Sequence, residues 1–518
     1  MNGAHALLAT LRANGVTTCF ANPGTSEMHF VAGLDDFAEM RAILCLFEGV
    51  ATGAADGFAR VSGSPASTLL HLGPGLANGW ANLHNARRAR SPIVNIVGDH
   101  ATTHVRYDAP LQSDIASVAS ALEGWFRRTT SPNDVAGDTA AAIAAAYGPP
   151  AQVSTLVLPA DVSWSRLDVE RDTWPLAPLP AAAVPDGELL HRAANLLRTK
   201  RCGLFVGGSA ADARQLELAA RVASATGAKF IMETFPAITD RGAGRFEAER
   251  LIYLSEFAIA QLADLDALVL IGANEPVGFF AYPDVASRLI GDGCQVVPVA
   301  PPGTDTLATL EYLVDELDAP LVGLAPTGRV GVPSGVLNNR TMADAVGATL
   351  PEDVVVADES NTSVVHLWGA TRESPPHRWM TLTGGAIGMG LPLALGASVA
   401  GAQRVLALES DGSMMYTPQA LWTMAREGLD VTVLGLSNRS YAILNLERQR
   451  VGAMSDSSTS QRMLDLDDPT LSLAGIASAQ GVPSTTVTTA DELVDALRRS
   501  YATPGPMFIE AMMPKGLG

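Results

Sequence analysis

Val405-Leu406-Ala407-Leu408 is an apolar run that ends in Glu409-Ser410-Asp411-Gly412-Ser413, and the stretch that follows, from Thr417-Pro418 to Gly428, carries a helical period. The run predicts a buried strand, and Thr417 and Pro418 read as the N-cap and first residue of a helix. A second apolar run, Val431 to Leu436, then delivers Ser437-Asn438-Arg439-Ser440-Tyr441. Two neighbouring parallel strands joined by a helix place Asp411 and Asn438, 27 positions apart, at their carboxyl ends. Open α/β sheets take their ligands at that edge.

The same alternation runs through the chain. Pro92 to Gly98 and Ala267 to Gly272 are further strand-like runs separated by helix-period segments. The expected class is α/β, with parallel sheets covered by helices on both faces. Trp174 to Pro185 and Pro326 to Pro333 are rich in Pro or Gly, lack periodicity and read as linkers. They divide the chain into 1–172, 186–325 and 334–518. A chain of 518 residues exceeds what one hydrophobic core supports.

Composition narrows the function. With 47% hydrophobic and 17% charged residues, the chain has material for buried cores and is no disordered polymer. A net charge of −19 repels a phosphate backbone, so nucleic acid is not an expected partner. No apolar stretch reaches the roughly 18 to 20 residues of a membrane span, and the N-terminal residues lack an export pattern; no membrane partner is expected. Cys19, Cys45, Cys202 and Cys294 have no metal-knuckle spacing and fit a reducing, cytoplasmic setting.

Several residues invite chemistry. Asp411, Asn438 and a loop carbonyl offer hard oxygens to Mg²⁺, which completes its octahedron with phosphate oxygens and water. Gly412 lets the backbone approach closely, and amides near a helix start meet diphosphate charge. Glu48 is the only acid between Met40 and Asp56 and is flanked by Cys45, Leu46, Phe47 and Val50. Such a carboxyl calls for a hydrogen-bonding partner or a raised pKa, unless it simply complements a helix dipole. His71 ends the apolar run Thr68-Leu69-Leu70 beside Gly73-Pro74-Gly75, where an imidazole is either a satisfied loop residue or an acid/base. Gly384 to Pro392 is a Gly-rich loop entering a helix and does not match a dinucleotide fingerprint. His100 and His104 would share a face if helical, without an evident third ligand; otherwise they mark a polar loop.

Taken together, these segments resemble the thiamine-diphosphate (ThDP) enzymes of the pyruvate-decarboxylase and acetohydroxyacid-synthase group. The family's Gly-Asp-Gly to Asn-Asn motif reads here Ser410-Asp411-Gly412 to Ser437-Asn438, with the two outer positions changed. The resemblance implies three doubly wound domains: pyrimidine-binding (1–172), middle (186–325) and diphosphate-binding (334–518). It implies Asp411, Asn438 and the Ser440 carbonyl as Mg²⁺ ligands, with Asn361, Thr362, Gly412, Ser413 and Tyr441 around the diphosphate. Ile387 matches the apolar wedge that bends the cofactor, the Gly385 carbonyl its contact to the amino nitrogen, and Glu48 the catalytic glutamate that hydrogen-bonds the aminopyrimidine ring.

The spacing from Glu48 to His71, 23 positions, is similar to that of benzoylformate decarboxylase, where the histidine moves protons; Thr25 matches that enzyme's substrate-binding hydroxyl. Leu444 stands where pyruvate decarboxylases carry a catalytic Glu. Pro110 and Leu111 replace the Phe and Gln of the acetohydroxyacid-synthase segment, with Gln112 one residue away, so Pro110, Leu111, Ile443 and Leu444 imply an apolar substrate pocket. The second histidine of benzoylformate decarboxylase falls in Val277 to Pro283, which has none.

The implied activity is decarboxylation or carboligation of a 2-oxo acid, with an aldehyde or a second 2-oxo acid as acceptor, by a homodimer or homotetramer. The alternatives are an acetolactate synthase and a catalytically silent ThDP-binding subunit. Val206-Gly207-Gly208-Ser209 reads as a vestigial nucleotide turn, and FAD is not expected.

Overall fold

The computed structural model describes residues 1–168, 172–324, 328–454 and 457–515. The expected segment ends at 325 and 518, and Pro326 of the second linker, lie outside them. The architecture is α/β, with three parallel-dominated sheets.

The first sheet holds β1 (Thr18–Asn22), β2 (Arg41–Leu44), β3 (Ala66–Leu70), β4 (Ile93–Asp99), β5 (Phe126–Arg128) and β6 (Val153–Pro159) in the order β2-β1-β3-β4-β6-β5. Every pair is parallel. β3, β4 and β6 are buried along their whole length, as strands covered on both faces must be. Helix α1 (Glu48–Ser62) precedes β3 and α2 (Leu72–Ala89) follows it.

Next come β7 (Cys202–Val206), β8 (Lys229–Met232), β9 (Ile238–Arg241), β10 (Glu249–Arg250), β11 (Ala267–Ile271) and β12 (Gln295–Ala300). All but β9 form a parallel sheet in the order β10-β8-β7-β11-β12. The third sheet comprises β13 (Val355–Glu359), β14 (His377–Thr381), β15 (Val405–Ser410), β16 (Val431–Ser437), β17 (Ser484–Val487) and β18 (Met507–Met512), ordered β17-β18-β16-β15-β13-β14-β9. Here the structure adds to the sequence reading: β9 joins antiparallel to β14, so a strand of the middle segment closes the third sheet. The graft is anchored by Arg241, which is 2% exposed, stacks 3.4 Å from the Trp368 ring centroid and donates to Thr371 Oγ1 and the Trp368 carbonyl.

Helix α3 (Gly390–Val399) packs against α1 at backbone distance. A Cβ on Gly57 would fall 2.1 Å from the Leu393 carbonyl oxygen, and one on Gly396 1.8 Å from that of Ala54. Only glycine fits either position, so the two helices are locked together in one core with Val50, Ala54, Leu393 and Ala397. Arg60 tightens the junction from the far end of α1. It bonds both oxygens of Asp56, at 2.8 and 2.6 Å, and donates to the carbonyls of Ala237 and Thr381, at 3.0 and 2.8 Å.

One local expectation is corrected. The helix after β15 is α4 (Asp411–Met414), and the next, α5 (Ala420–Glu427), starts after Thr417 and Pro418. Thr417 is no N-cap, because its hydroxyl donates to the Gly388 carbonyl at 2.9 Å. No helix among the described residues is long and apolar enough to cross a membrane, and all four cysteines are free and buried.

Candidate active site

Asp411 begins α4 where β15 stops, and β16 lies beside β15 in register up to Ser410 and Leu436. The two strand ends therefore bring Asp411 and Asn438 to one edge. Asp411 is buried; its Oδ1 accepts from the Gly412 amide at 2.8 Å and its Oδ2 from the Arg439 amide at 2.6 Å. Burial raises its pKa above the usual carboxylate range, against the pull of those amides. Asn438 Oδ1 accepts from the Ser440 amide at 3.0 Å across Arg439, whose φ of +56° makes the reversal. The Ser440 carbonyl takes the Ala442 amide at 2.8 Å and keeps a second lone pair.

The Tyr441 ring, at the start of helix α6 (Ala442–Arg450), lies against Gly412, where a Cβ would come within 2.4 Å of it. Asn361 joins the cluster through Nδ2, which donates to Ser410 Oγ at 2.6 Å and to Ser413 Oγ at 2.8 Å. Ser410, one of the two changed motif positions, thus adds a hydroxyl to the cluster. Thr362 sits half-buried in the same 3₁₀ turn, Asn361–His366. No group of three His, Cys, Asp or Glu suited to a metal occurs among the described residues. The oxygen set here is one carboxylate, one amide and one carbonyl, which suits a hard cation that brings phosphate and water with it.

The Gly-rich loop before α3 is held from two sides. Glu359, at the end of β13, accepts the amides of Gly388 (2.7 Å), Met389 (2.8 Å) and Gly390 (2.5 Å). Asn85 brackets Ala386, accepting its amide at 3.2 Å and donating to its carbonyl at 2.8 Å. Asn82 reaches the Gly388 carbonyl at 3.2 Å. Ile387 lies half-buried between these anchors. Gly385, at φ +75°, has the Phe279 ring against it, 2.5 Å from where a Cβ would stand. Glu409 pairs in register with Glu359 on β15. Burial, then Glu359 and Asp358, push the Glu409 carboxyl well above the usual range, while burial lifts Glu359 to about 7.

On the first sheet, Glu48 is the first residue of α1, buried, with Oε2 accepting from Asn78 Nδ2 at 3.0 Å. The carboxyl therefore has the hydrogen-bonding partner its setting calls for. His71 ends the run after β3 and caps α2. A Cβ on Gly75 would lie 3.0 Å from Glu48 Oε1 and 3.5 Å from His71 Cβ, so the carboxyl and the histidine flank one glycine. His71 Nδ1 lies 2.8 Å from Glu27 Oε2, which also accepts the Gly24 amide at 2.7 Å. Burial raises the pKa of Glu27, opposed by His71. Thr25 is exposed, two residues away in the 3₁₀ turn Thr25–Glu27.

Pro110 and Leu111 lie on the exposed loop after β4, Ile443 and Leu444 in the first turn of α6; Leu111 and Leu444 are 41% and 43% exposed. Gln112 is half-buried, with Oε1 partnerless among the described residues. His100 and His104 are not helical: they sit in a turn with rings 5.3 Å apart, and the His100 pKa is lowered by burial, His104 and His71. In the middle segment, Glu233 fills the glycine turn; its Oε1 accepts the Gly208 amide at 2.7 Å. A carboxylate at that amide opposes a phosphate there.

Sequence reasoning passed over Glu27, Asn78, Asn82, Asn85 and Glu359 as functional residues. Glu27 is the only acid before Asp35, and the three asparagines recur at i, i+4 and i+7 on α2, a polar stripe on an otherwise small and apolar face. Glu359 and Glu409 are acids near the ends of strands that begin as apolar runs, Val355-Val356-Ala357 and Val405 to Leu408.

Residues 1–121 match the thiamine pyrophosphate enzyme N-terminal TPP binding domain, and residues 361–511 the C-terminal TPP binding domain. A Mycobacterium tuberculosis protein provisionally named acetolactate synthase large subunit IlvX is 51% identical over 100% of both chains. The benzoylformate decarboxylase of Pseudomonas aeruginosa is 30% identical over 96% of each chain. Among solved structures, the thiamine diphosphate-dependent 4-hydroxybenzoylformate decarboxylase of Rhodococcus jostii aligns over 100% of both chains, with a TM-score of 0.85 at 23% identity, a likeness of fold.

Proposed function

Because the chain belongs to the thiamine pyrophosphate enzymes, the family of the decarboxylases and acetolactate synthases, we propose that it is a Mg²⁺-assisted, cytoplasmic decarboxylase or carboligase of an apolar or aromatic 2-oxo acid. The observation that carries this reading is the flanking of Gly75 by the Glu48 carboxyl and the Cβ of His71, whose imidazole is held by Glu27. The relative named for benzoylformate decarboxylase supports the aromatic side chain.

Asp411, Asn438 and the Ser440 carbonyl would hold the metal, and Asn361, Thr362, Gly412, Ser413 and Tyr441 the diphosphate. Ile387 and the Gly385 carbonyl would bear on the rings. When bound, thiamine diphosphate supplies an electron sink for the carbon that loses CO₂. Glu48, kept in place by Asn78, would hold a proton against the pyrimidine. His71 would deliver or remove a proton at the reacting carbonyl oxygen, its ring fixed by the buried Glu27 carboxylate. Thr25 would orient the substrate carboxylate, and Pro110, Leu111, Ile443 and Leu444 would offer apolar surface to its side chain.

By the family resemblance the cofactor would lie between two copies, Glu48 of one opposite Asp411 of the other, with pyrimidine-binding (1–172), middle (186–325) and diphosphate-binding (334–518) domains in each. A homodimer or homotetramer follows, and light scattering showing an active monomer would contradict it. Glu233 at the Gly208 amide supports the absence of FAD from the middle segment.

A second reading, acetolactate synthesis from pyruvate, is favoured by the relative at 51% identity. A panel of 2-oxo acids separates them. CO₂ and aldehyde from benzoylformate support the first, acetolactate from pyruvate the second, and coenzyme binding without either product a silent subunit.

A further inference from the structure

We propose that Glu359 is a positioning residue for the coenzyme, fixing through three backbone amides the turn that carries Ile387 and Gly385. The inference rests on the reading of Ile387 as the wedge.

The backbone on either side of Ile387 is fully engaged. The preceding residue, Ala386, has its amide and carbonyl both on Asn85. The following one, Gly388, gives its amide to Glu359 Oε1 and its carbonyl to Asn82 and Thr417. The next two amides, of Met389 and Gly390, converge on Glu359 Oε2. These amides open α3 and have no partner within the helix, so without Glu359 they would be buried and unsatisfied. Space permits no simple substitute: a Cβ on Gly390 would stand 3.0 Å from Glu359 Cβ and 2.0 Å from Glu409 Oε1. The loop is thus pinned by α2 of the first sheet on one side and by β13 of the third on the other. Ile387 is the residue presented between the pins, and its placement depends on both. A carboxyl group that takes three amides at 2.5 to 2.8 Å through both of its oxygens is a stiffer anchor than a side-chain amide, which accepts through one oxygen only.

A purely structural cap would alter stability without altering how the coenzyme is gripped. The test separates the two. Wild type, Glu359→Gln, Glu359→Asp, Ile387→Ala and the Glu359→Gln, Ile387→Ala double variant are titrated calorimetrically with thiamine diphosphate in excess Mg²⁺. Amide exchange is followed by mass spectrometry in the coenzyme-free protein. Glu359→Gln should lose protection over 384–390 while β15 and β16 keep theirs, and should bind coenzyme about tenfold more weakly. Glu359→Asp, which keeps both accepting oxygens and withdraws them by one methylene, should weaken binding too. The double variant should bind no more weakly than Ile387→Ala alone, since Glu359 acts through Ile387. Wild-type affinity in both Glu359 variants, or additive losses in the double variant, overturns the inference. If wild type itself binds no coenzyme, the functional reading falls and this inference with it. Wild-type binding matched by an unchanged Glu359→Gln overturns the inference alone.

Discussion

His71 Nδ1 lies 2.8 Å from Glu27 Oε2, and the glutamate side chain is almost fully buried while the imidazole keeps an exposed edge. A carboxylate that accepts from one ring nitrogen fixes the tautomer and leaves the other nitrogen to face the reacting group. Glu27→Gln should therefore lower kcat by roughly 10²-fold with coenzyme affinity unchanged. Steady-state CO₂ release and calorimetry check this together; an unaltered kcat would remove His71 from proton transfer or Glu27 from its support.

Glu48→Gln keeps a group that Asn78 can bond, so the fold should survive and Tm should stay near that of wild type. Turnover should fall by about 10² to 10⁴-fold. Asn78→Ala should fall less, because it removes only the 3.0 Å hydrogen bond that orients the carboxyl. Full activity in Glu48→Gln would exclude the carboxyl from catalysis.

The metal set predicts linked binding. Chelation of Mg²⁺, or Asp411→Ala in its presence, should each abolish calorimetric binding of thiamine diphosphate, because the diphosphate would meet neither the cation nor its anchor. Retention in either case would place the diphosphate elsewhere.

Two buried groups give the stability a pH dependence. Burial, then Arg241, lowers the His377 pKa from 6.5 to about 4. The unfolded chain then binds the proton more readily, so this stability is present above 6.5 and lost as pH falls toward 4, at about 3 kcal/mol in full. Glu359, raised from 4.5 to about 7, acts oppositely: its contribution is present at low pH and lost as pH rises through 7. Urea unfolding at pH 7.5 and about 4.5, compared between wild type and His377→Asn, should show the acid-side loss reduced in the variant. Equal losses would mean that His377 is not held neutral.

Much of this could be read from the chain alone, for a local reason. Parallel strands buried on both faces are continuous apolar runs, and their polar ends are where ligands sit, so β15 and β16 exposed Asp411 and Asn438 directly. What stayed hidden is non-local. Glu27 meets His71 across 44 positions and Glu359 meets Gly388 across 29, through strand order that no short pattern encodes. β9, Ile-Thr-Asp-Arg, has no apolar run of its own and gains its place by pairing with β14. Thr417 has the right chemistry for a cap, but a tertiary carbonyl claims its hydroxyl.

The central claim is most directly tested by CO₂ release from benzoylformate with purified protein, thiamine diphosphate and Mg²⁺, run beside Glu48→Gln. The account predicts release by wild type that requires both additions and nearly disappears in the variant. Release that is independent of thiamine diphosphate, or equal in the two proteins, would contradict it.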